Sequence, residues 1–148
     1  MSYVTREQAV CALFSALQGS ASYVTSSRRL KLWTDVPVTD RPALFLTVHG
    51  EEVRRGTDIA PAMRTLSGDI YIYTNAKDPN TIGDTLLNNL IDAIDPLAGG
   101  VLAPNPLTNL TTLGGVVYDC YIDGKILREP GDMDGDGIAL IPIKIILP

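Results

Sequence analysis

Apolar residues recur along this chain with two different periods, and each period predicts a different kind of element. Near the N-terminus the apolar positions follow helical spacing. Thr5 and Gln8 precede them with the spacing of a capping box, which satisfies the free N–H groups of a helix start. Gly19 is a natural stop. The sequence therefore predicts a first helix whose buried stripe is Val10, Leu13, Phe14 and Leu17.

A second helical period begins after Asp78-Pro79. Aspartate is a favourable N-cap, and proline is accepted at the first helical position, so we expect the helix to start here. Asp95 stands before Pro96 and is disfavoured in the helical region, which predicts the end of the helix. The expected apolar face is Ile82, Leu86, Leu90 and Ile94, widened by Leu87 and Ile91.

Alternation with a period of two predicts the strands. The last of them is apolar on both faces, with Ile141, Ile143, Ile145 and Leu147 on one side, but Pro142 cannot donate to a sheet ladder and predicts a position near an edge. A helix, several strands, a helix and two further strands indicate an α+β fold, a mainly antiparallel or mixed sheet with two main helices packed on one face. The predicted strands are 28–33, 43–52, 63–75, 116–126 and 138–147.

Composition limits the classes of protein that this can be. With 148 residues, 45% apolar and 20% charged, the chain predicts a single globular domain over residues 1–148. The net charge is −5, which argues against free nucleic acid as a partner. No apolar run approaches the roughly 20 residues of a membrane span, and MSYVTREQAV lacks the pattern of a signal peptide. We expect no secretion, and we expect Cys11 and Cys120 to be reduced and buried.

One loop raises the question of a metal. Asp132, Asp134, Asp136 and Gly137 match the first half of a calcium-binding EF-hand loop. The second half is missing, because Ile143 stands where the bidentate glutamate should be, and a β-type run follows in place of a helix. Asp-Gly is also the strongest short hairpin signal. We expect a turn and no metal, and weak calcium binding remains the alternative.

The residues offer little for catalysis. His49 is the only histidine, and no nucleophile elbow or phosphate-binding loop is present. Glu51-Glu52 point to opposite faces of a strand, while Asp119 and Asp123 are expected on an exposed sheet face. We therefore expect no enzyme, no catalytic residue and no cofactor. The remaining enzyme hypothesis places a site in the predicted loop 97–115, since loops of that length are often functional.

A resemblance appears when these stretches are taken together. The chain resembles the small tail terminator (tail completion) proteins of long-tailed bacteriophages, from about residue 5 to residue 147. The resemblance implies an α+β subunit of a homo-hexameric ring, which sits on the last ring of tail-tube protein and ends tube growth. The stretches that carry it are PALFLTVHGEE, DIYIYTN, NNLIDAID, TLGGVVYDCYIDGKI and IALIPIKIIL.

The same resemblance implies the partners and the place. They are copies of the chain itself, the tail-tube protein, the head–tail connector and, in a contractile tail, the sheath protein. Genomic DNA would pass through the ring without specific binding, and no membrane is involved. The protein would belong to the tail or neck of the virion and to the host cytoplasm during assembly. The family has no catalytic residues to transfer.

The residues themselves suggest where partners bind. Ring subunits need exposed edges and loops, and we expect long loops at 53–62 and 97–115. Arg54 and Arg55 lie in the first loop and are expected to pair with acidic groups on a neighbouring subunit or on the tube. Asp132, Asp134 and Asp136 are expected to face the lumen or a partner. Two alternatives stay open, namely a head–tail joining protein of the same particle and a calcium-dependent binding module on the aspartate loop.

Overall fold

The computed structural model describes residues 4–57, 62–76, 78, 80–95, 116–131 and 135–147. Within these ranges the helices are α1 (Arg6–Gln18) and α2 (Gly83–Ile94). Two short 3-10 turns, Trp33–Asp35 and Val38–Asp40, precede the longest hairpin. The predicted α+β fold is confirmed. The strands are β1 (Thr25–Ser27), β2 (Ala43–Arg54), β3 (Met63–Asn75), β4 (Asp119–Ile122), β5 (Leu127–Glu129) and β6 (Asp136–Leu147).

The six strands form one mixed sheet in the order β1-β2-β3-β6-β4, with β5 also paired to β6. Only β1 and β2 are parallel to each other, and every other pair is antiparallel. The long strands β2, β3 and β6 lie side by side, and β3 is paired along its whole length from Arg64 to Asn75 with β6. These three strands therefore form the rigid centre to which the shorter elements attach.

Both helices pack on the same face of this sheet. Alternate side chains of the three long strands point to that face, as the period of two requires. Pairs such as Leu66 with Ile145 and Ile70 with Ile141 stand side by side there. The predicted position of the helices is confirmed. The buried cluster that joins them comprises Ala9, Val10, Leu13, Leu17, Leu44, Leu46, Leu66, Ile70, Ile72, Leu87, Ile91, Ile94, Val117, Cys120, Ala139, Ile141, Ile143, Ile145 and Leu147.

Helix α1 agrees with its prediction. The Gln8 N–H donates to Thr5 Oγ1 at 3.1 Å, and the Thr5 N–H donates to Gln8 Oε1 at 2.8 Å, so both halves of the capping box form. Gly19 is the C-cap, and its N–H donates to the Ser15 carbonyl at 3.2 Å. In the predicted stripe, Phe14 is half-buried and the other three positions are buried.

Helix α2 starts later than predicted. It begins at Gly83 rather than at Asp78, and no side chain caps it. The Asp78 carboxylate accepts the Asn80 N–H at 3.0 Å, so this aspartate stabilises a turn before the helix. The first residue of α2, Gly83, lies directly against the Pro130 carbonyl. A Cβ at Gly83 would stand 1.9 Å from that oxygen.

The buried face of α2 is also rotated from the predicted one. Leu87, Ile91 and Ile94 are buried, whereas Ile82 is 66% exposed. Leu86 and Leu90 are half-buried. The helix therefore has two apolar stripes, of which the sheet covers only one.

The prediction of a strand at Arg28–Trp33 is wrong. The observed strand is β1, which begins at Thr25, three residues before the predicted start, and ends at Ser27. Leu32, predicted on one face of the strand, is 67% exposed. A buried guanidinium explains why the following segment turns. Arg41 donates to the Trp33 carbonyl at 2.6 Å and to the Val36 carbonyl at 3.1 Å, which holds these residues in a turn.

The prediction that the last strand lies near an edge is wrong as well. Strand β6 pairs with β3 on one side and with β4 and β5 on the other. Pro142 is tolerated because neither short strand pairs with it. The pairing of β4 with β6 stops at Ile143, and the pairing of β5 with β6 stops at Leu140. The Asp123 N–H donates to the Pro142 carbonyl at 3.0 Å, so the missing donor faces the gap between the two short strands. The predicted strand 116–126 is correspondingly shortened to β4, and β5 was not predicted.

The second face of the sheet is only partly covered. Val36, Ala43, Phe45 and Tyr73 form a small buried cluster at one end of it. Beyond that cluster, this face keeps half-exposed side chains on the interior strands, among them Tyr71, Leu140 and Ile146. No helix in the described ranges is long and apolar enough to cross a membrane.

Candidate functional site

The aspartate loop connects two paired strands. Asp132 and Asp134 lie outside the described residues. Gly131 and Gly135, at the two ends, have φ of +80° and +82°, and the Gly135 N–H donates to the Gly131 carbonyl at 2.8 Å. Strands β5 and β6 on either side are antiparallel neighbours. The described flanks are therefore arranged as a hairpin requires, while residues 132–134 lie outside the described part.

Asp136 has a partner of its own. Its Oδ1 receives Arg41 Nη1 at 2.6 Å, and the two side chains are 18% and 4% exposed. Arg41 Nη1 also donates to the Thr74 carbonyl at 3.3 Å. Asp136 therefore neutralises a buried cation in this structure. Among the described residues, no group of three or more His, Cys, Asp or Glu could hold a metal.

His49 is placed as a surface residue. It lies at a β-bulge, where the register of β2 against β3 shifts between Val48 and Gly50. Its side chain is 58% exposed, and its Nε2 stands 3.3 Å from Asp69 Oδ2. The bulge shifts the faces of β2 beyond this point from those expected of regular alternation. A solvated pair at a bulge gives no general base directed into a cavity.

The acidic candidates do not come together. Asp119 Oδ1 accepts the N–H of the next residue, Cys120, at 2.9 Å. Asp123 Oδ2 pairs with Lys144 Nζ at 3.1 Å. Glu51 pairs with Arg6 of α1, with Nη2 and Oε2 2.9 Å apart. Each carboxylate is thus held by a local partner.

The two cysteines differ in exposure. Cys120 is buried as expected, and desolvation raises the pKa of its thiol to about 12. Cys11 was also expected to be buried, and that prediction is wrong, because it faces solvent on the outer side of α1. A hydrogen bond to Glu7 raises the pKa of the Cys11 thiol. Both thiols are free and neither is activated as a nucleophile.

Arg54 and Arg55 stand at the far end of the β2–β3 hairpin. Arg54 is the last residue of β2, not a loop residue as predicted, and both side chains are exposed. The predicted loop 53–62 is shortened at its start, since β2 extends to Arg54, while β3 begins at Met63 as predicted; residues 58–61 lie outside the described part. Neither arginine pairs with an acidic group among the described residues, so their predicted partner on another chain stays a prediction.

At the opposite end of the same hairpin lies a cleft of about 300 Å³. It opens between the start of β2, the end of β3 and the second apolar stripe of α2. We did not predict this cleft, although the helical spacing of Leu86 and Leu90 was the signal for it. Its lining comprises Arg41, Pro42, Thr74, Asn75, Leu86, Asn89 and Leu90.

The outer edge of β2 is the other open feature. Strand β1 pairs only with Ala43, Leu44 and Phe45, so in the described part of the chain the edge from Leu46 to Arg54 has no strand beside it. Helix α1 borders this edge, and a shallow groove of about 420 Å³ lies between them. The groove has an apolar floor of Val10, Val48 and Leu66 and a rim of Arg6, Glu7, Arg28 and Glu51.

Comparison with known proteins assigns the chain to no family, because neither a protein-family model nor a curated protein sequence matches it. The predicted loop 97–115, where the enzyme hypothesis places its site, lies outside the described residues.

Proposed function

We propose that this chain is a structural subunit of a bacteriophage tail, which assembles into a ring on the end of the tail tube. The ring ends tube polymerisation and offers a docking face for the head connector. The observation that carries the proposal is the outer edge of β2, where nine residues from Leu46 to Arg54 have no described strand beside them. The resemblance of the sequence to tail terminator proteins supplies the particular assembly.

An unpaired strand edge is a surface for protein contact. Its N–H and C=O groups are arranged to pair with another chain, and monomeric proteins usually cover or shorten such an edge. Here the edge is long, and the sheet also leaves apolar side chains half-exposed on the face opposite the helices. These are features of a subunit whose surface is completed by neighbours.

The polar groups of the described residues support a structural role. His49, Asp123 and Glu51 each have a local charged partner. Asp136 is held by the buried Arg41. The cleft beside α2 has apolar walls, and its described lining residues include no pairing of a nucleophile with a general base. In this proposal the partners are further copies of the chain, the tail-tube protein and the connector, with sheath protein in a contractile tail.

The first test is the mass of the purified chain in solution, measured by light scattering behind a sizing column at increasing concentration. We expect a species of six times the 15.9 kDa chain, seen as rings by negative-stain electron microscopy. A second measurement adds the chain to polymerising tail-tube protein. We expect shorter tubes, each with a ring at one end.

Two results would overturn the proposal together. They are a monomer at every concentration and tube lengths that do not change when the chain is added. A ring that binds the portal side of the head–tail junction and ignores tube ends would instead establish the joining-protein alternative. Calcium-dependent stabilisation would favour the binding module, since a ligand that binds the folded state raises its stability.

A further inference from the structure

Two unlike surfaces lie at opposite ends of the same two strands. The cleft is at the end where Pro42 leads into β2 and Asn75 closes β3. The other end carries Val53, Arg54 and Arg55, all exposed. We will refer to these three residues as the hairpin end. Because both features belong to one rigid pair of strands, their separation is fixed by the length of β2.

The cleft offers apolar walls, and one acidic residue of α2 stands a turn away from its lining. Pro42, Leu86 and Leu90 supply the walls, and Asn89 is an exposed amide on the lining. At about 300 Å³, it is at the lower end of small-molecule pockets and suits one or two side chains of a protein. Helix α2 carries two acidic residues, of which Asp84 is paired with Arg128, whereas Asp92 is exposed one turn beyond Asn89. The base of the cleft adds no free cation, because Arg41 is paired with Asp136.

The hairpin end has the complementary chemistry. Val53 is 62% exposed and is one of several large apolar side chains that reach solvent in the described part of the chain. The two arginines that follow it have no acidic partner among the described residues. Of the two acidic residues before it, Glu51 pairs with Arg6, whereas Glu52 is exposed. An apolar side chain next to two arginines without a described acidic partner is therefore exposed at this end.

The length of β2 prevents a chain from filling its own cleft. From Pro42 to Val53 the strand advances eleven residues, which is roughly 36 Å at about 3.3 Å per residue. A contact between the two surfaces must join different copies. Because the surfaces are unlike, the contact is heterologous, and repetition of such a contact generates a closed ring or an open filament.

We propose that the hairpin end of one copy binds the cleft of the next copy, with Val53 against Leu86 and Leu90 and the arginines towards Asp92 of α2. The inference rests on the proposed ring function and names the contact that closes the ring. The ligand of the cleft is thus a second copy of this chain. Charge complementarity sets the direction of the contact, and the apolar side chain supplies the buried surface.

Cysteine cross-linking tests the contact directly. We would work in a Cys11→Ser background, so that the remaining native thiol, Cys120, is buried and unreactive. One protein carries Val53→Cys and the other carries Leu86→Cys. We expect oxidation of the mixture to give a disulfide dimer between positions 53 and 86, identified by peptide mapping, at about tenfold the yield of dimers between identical positions.

Charge reversal provides the second arm. Arg54→Glu with Arg55→Glu should abolish the cross-link, since like charges would then face each other across the contact. The matched control is Lys31→Glu with Lys125→Glu, which makes the same change in net charge at two exposed sites away from both surfaces. We expect this control to cross-link as the parent does.

Complementation distinguishes the heterologous contact from a symmetric one. A cleft variant, Leu90→Glu, and the hairpin variant Arg54→Glu/Arg55→Glu should each be monomeric alone. Mixed together they should form a dimer and nothing larger, because each keeps one intact surface of the pair. Circular dichroism checks that each variant is folded before it is mixed.

The outcomes separate this inference from the proposed function. If the wild-type chain and both blocking variants all form rings, and positions 53 and 86 do not cross-link, the proposed contact is wrong and the ring proposal stands. A cross-link equally strong in the hairpin charge reversal would also refute the contact. If the wild-type chain neither forms rings nor changes tube lengths, the ring proposal itself fails.

Discussion

The replacement Asp136→Ala tests how strongly the ion pair between Arg41, just before β2, and Asp136, at the start of β6, stabilises the fold. Asp136 is the acidic partner of Arg41, whose side chain is 4% exposed. Removal of one partner from a buried ion pair typically costs about 3–5 kcal/mol, because the other charge stays buried without compensation. Arg41 would keep three carbonyl acceptors, on Trp33, Val36 and Thr74. We therefore expect the lower end of the range, about 3 kcal/mol.

Urea unfolding followed by circular dichroism measures this loss, with the slope of the transition compared between variants. For a chain of this size the expected fall in Tm is about 6–12 °C. The matched control is Asp123→Ala, which removes an ion pair whose side chains are 37% and 48% exposed. Exposed pairs contribute about 0–1 kcal/mol. Equal, small losses in both variants would refute the argument that burial makes the Arg41 pair important.

Three further predictions follow from packing and from the pKa shifts. Gly83→Ala should destabilise the fold by about 1–3 kcal/mol despite the better helix propensity of alanine, because its Cβ meets a backbone carbonyl, whereas Gly19→Ala should be tolerated. Iodoacetamide at about pH 8 should modify Cys11 in the folded chain and spare Cys120, whose pKa is raised to about 12, as mass spectrometry of the intact protein would show. The hydrogen bond from Arg28 lowers the pKa of Glu7 from 4.5. The contribution of Glu7 to stability is therefore complete above pH 4.5 and is lost as the pH falls through the folded pKa. The acid unfolding curve of Glu7→Gln should lack this component.

The sequence predicted the elements whose period is long and regular. Strand β3 was predicted at its observed bounds, and α1 at its observed cap, because alternation and capping are local signals that packing did not override. The fold class followed from the order of these elements. Strand β5 was missed, since its three residues LRE carry no apolar alternation and are held only by pairing to β6.

The errors share a tertiary cause. The apolar alternation around Leu30 and Leu32 resembled a strand, but Arg41 binds the carbonyls that follow and turns the chain. Pro142 indicated an edge strand, but it lies opposite the gap between β4 and β5, where no ladder donor is needed. Neither effect is visible in a local window, because Arg41 is itself held by Asp136, 95 residues further along the chain, and β6 lies between strands from other parts of the sequence.

The candidate site was harder to predict than the fold, and α2 shows why. The six apolar positions of this helix predict one wide buried face, although the sheet covers only Leu87, Ile91 and Ile94. Which part of a wide face stays open depends on where the helix crosses the sheet. The sequence therefore signalled the apolar stripe that lines the cleft without showing that it was exposed.

The buried ion pair and the proposed contact meet at one place. Arg41 lines the cleft, and through Thr74 and Asp136 it ties the start of β2 to the end of β3 and the start of β6. A cleft held in shape before binding loses less conformational entropy when a partner enters. The pair would then stabilise assembly as well as the fold. Asp136→Ala should weaken the cross-link between positions 53 and 86 even under conditions where the variant is fully folded, whereas the control Asp123→Ala should leave it unchanged.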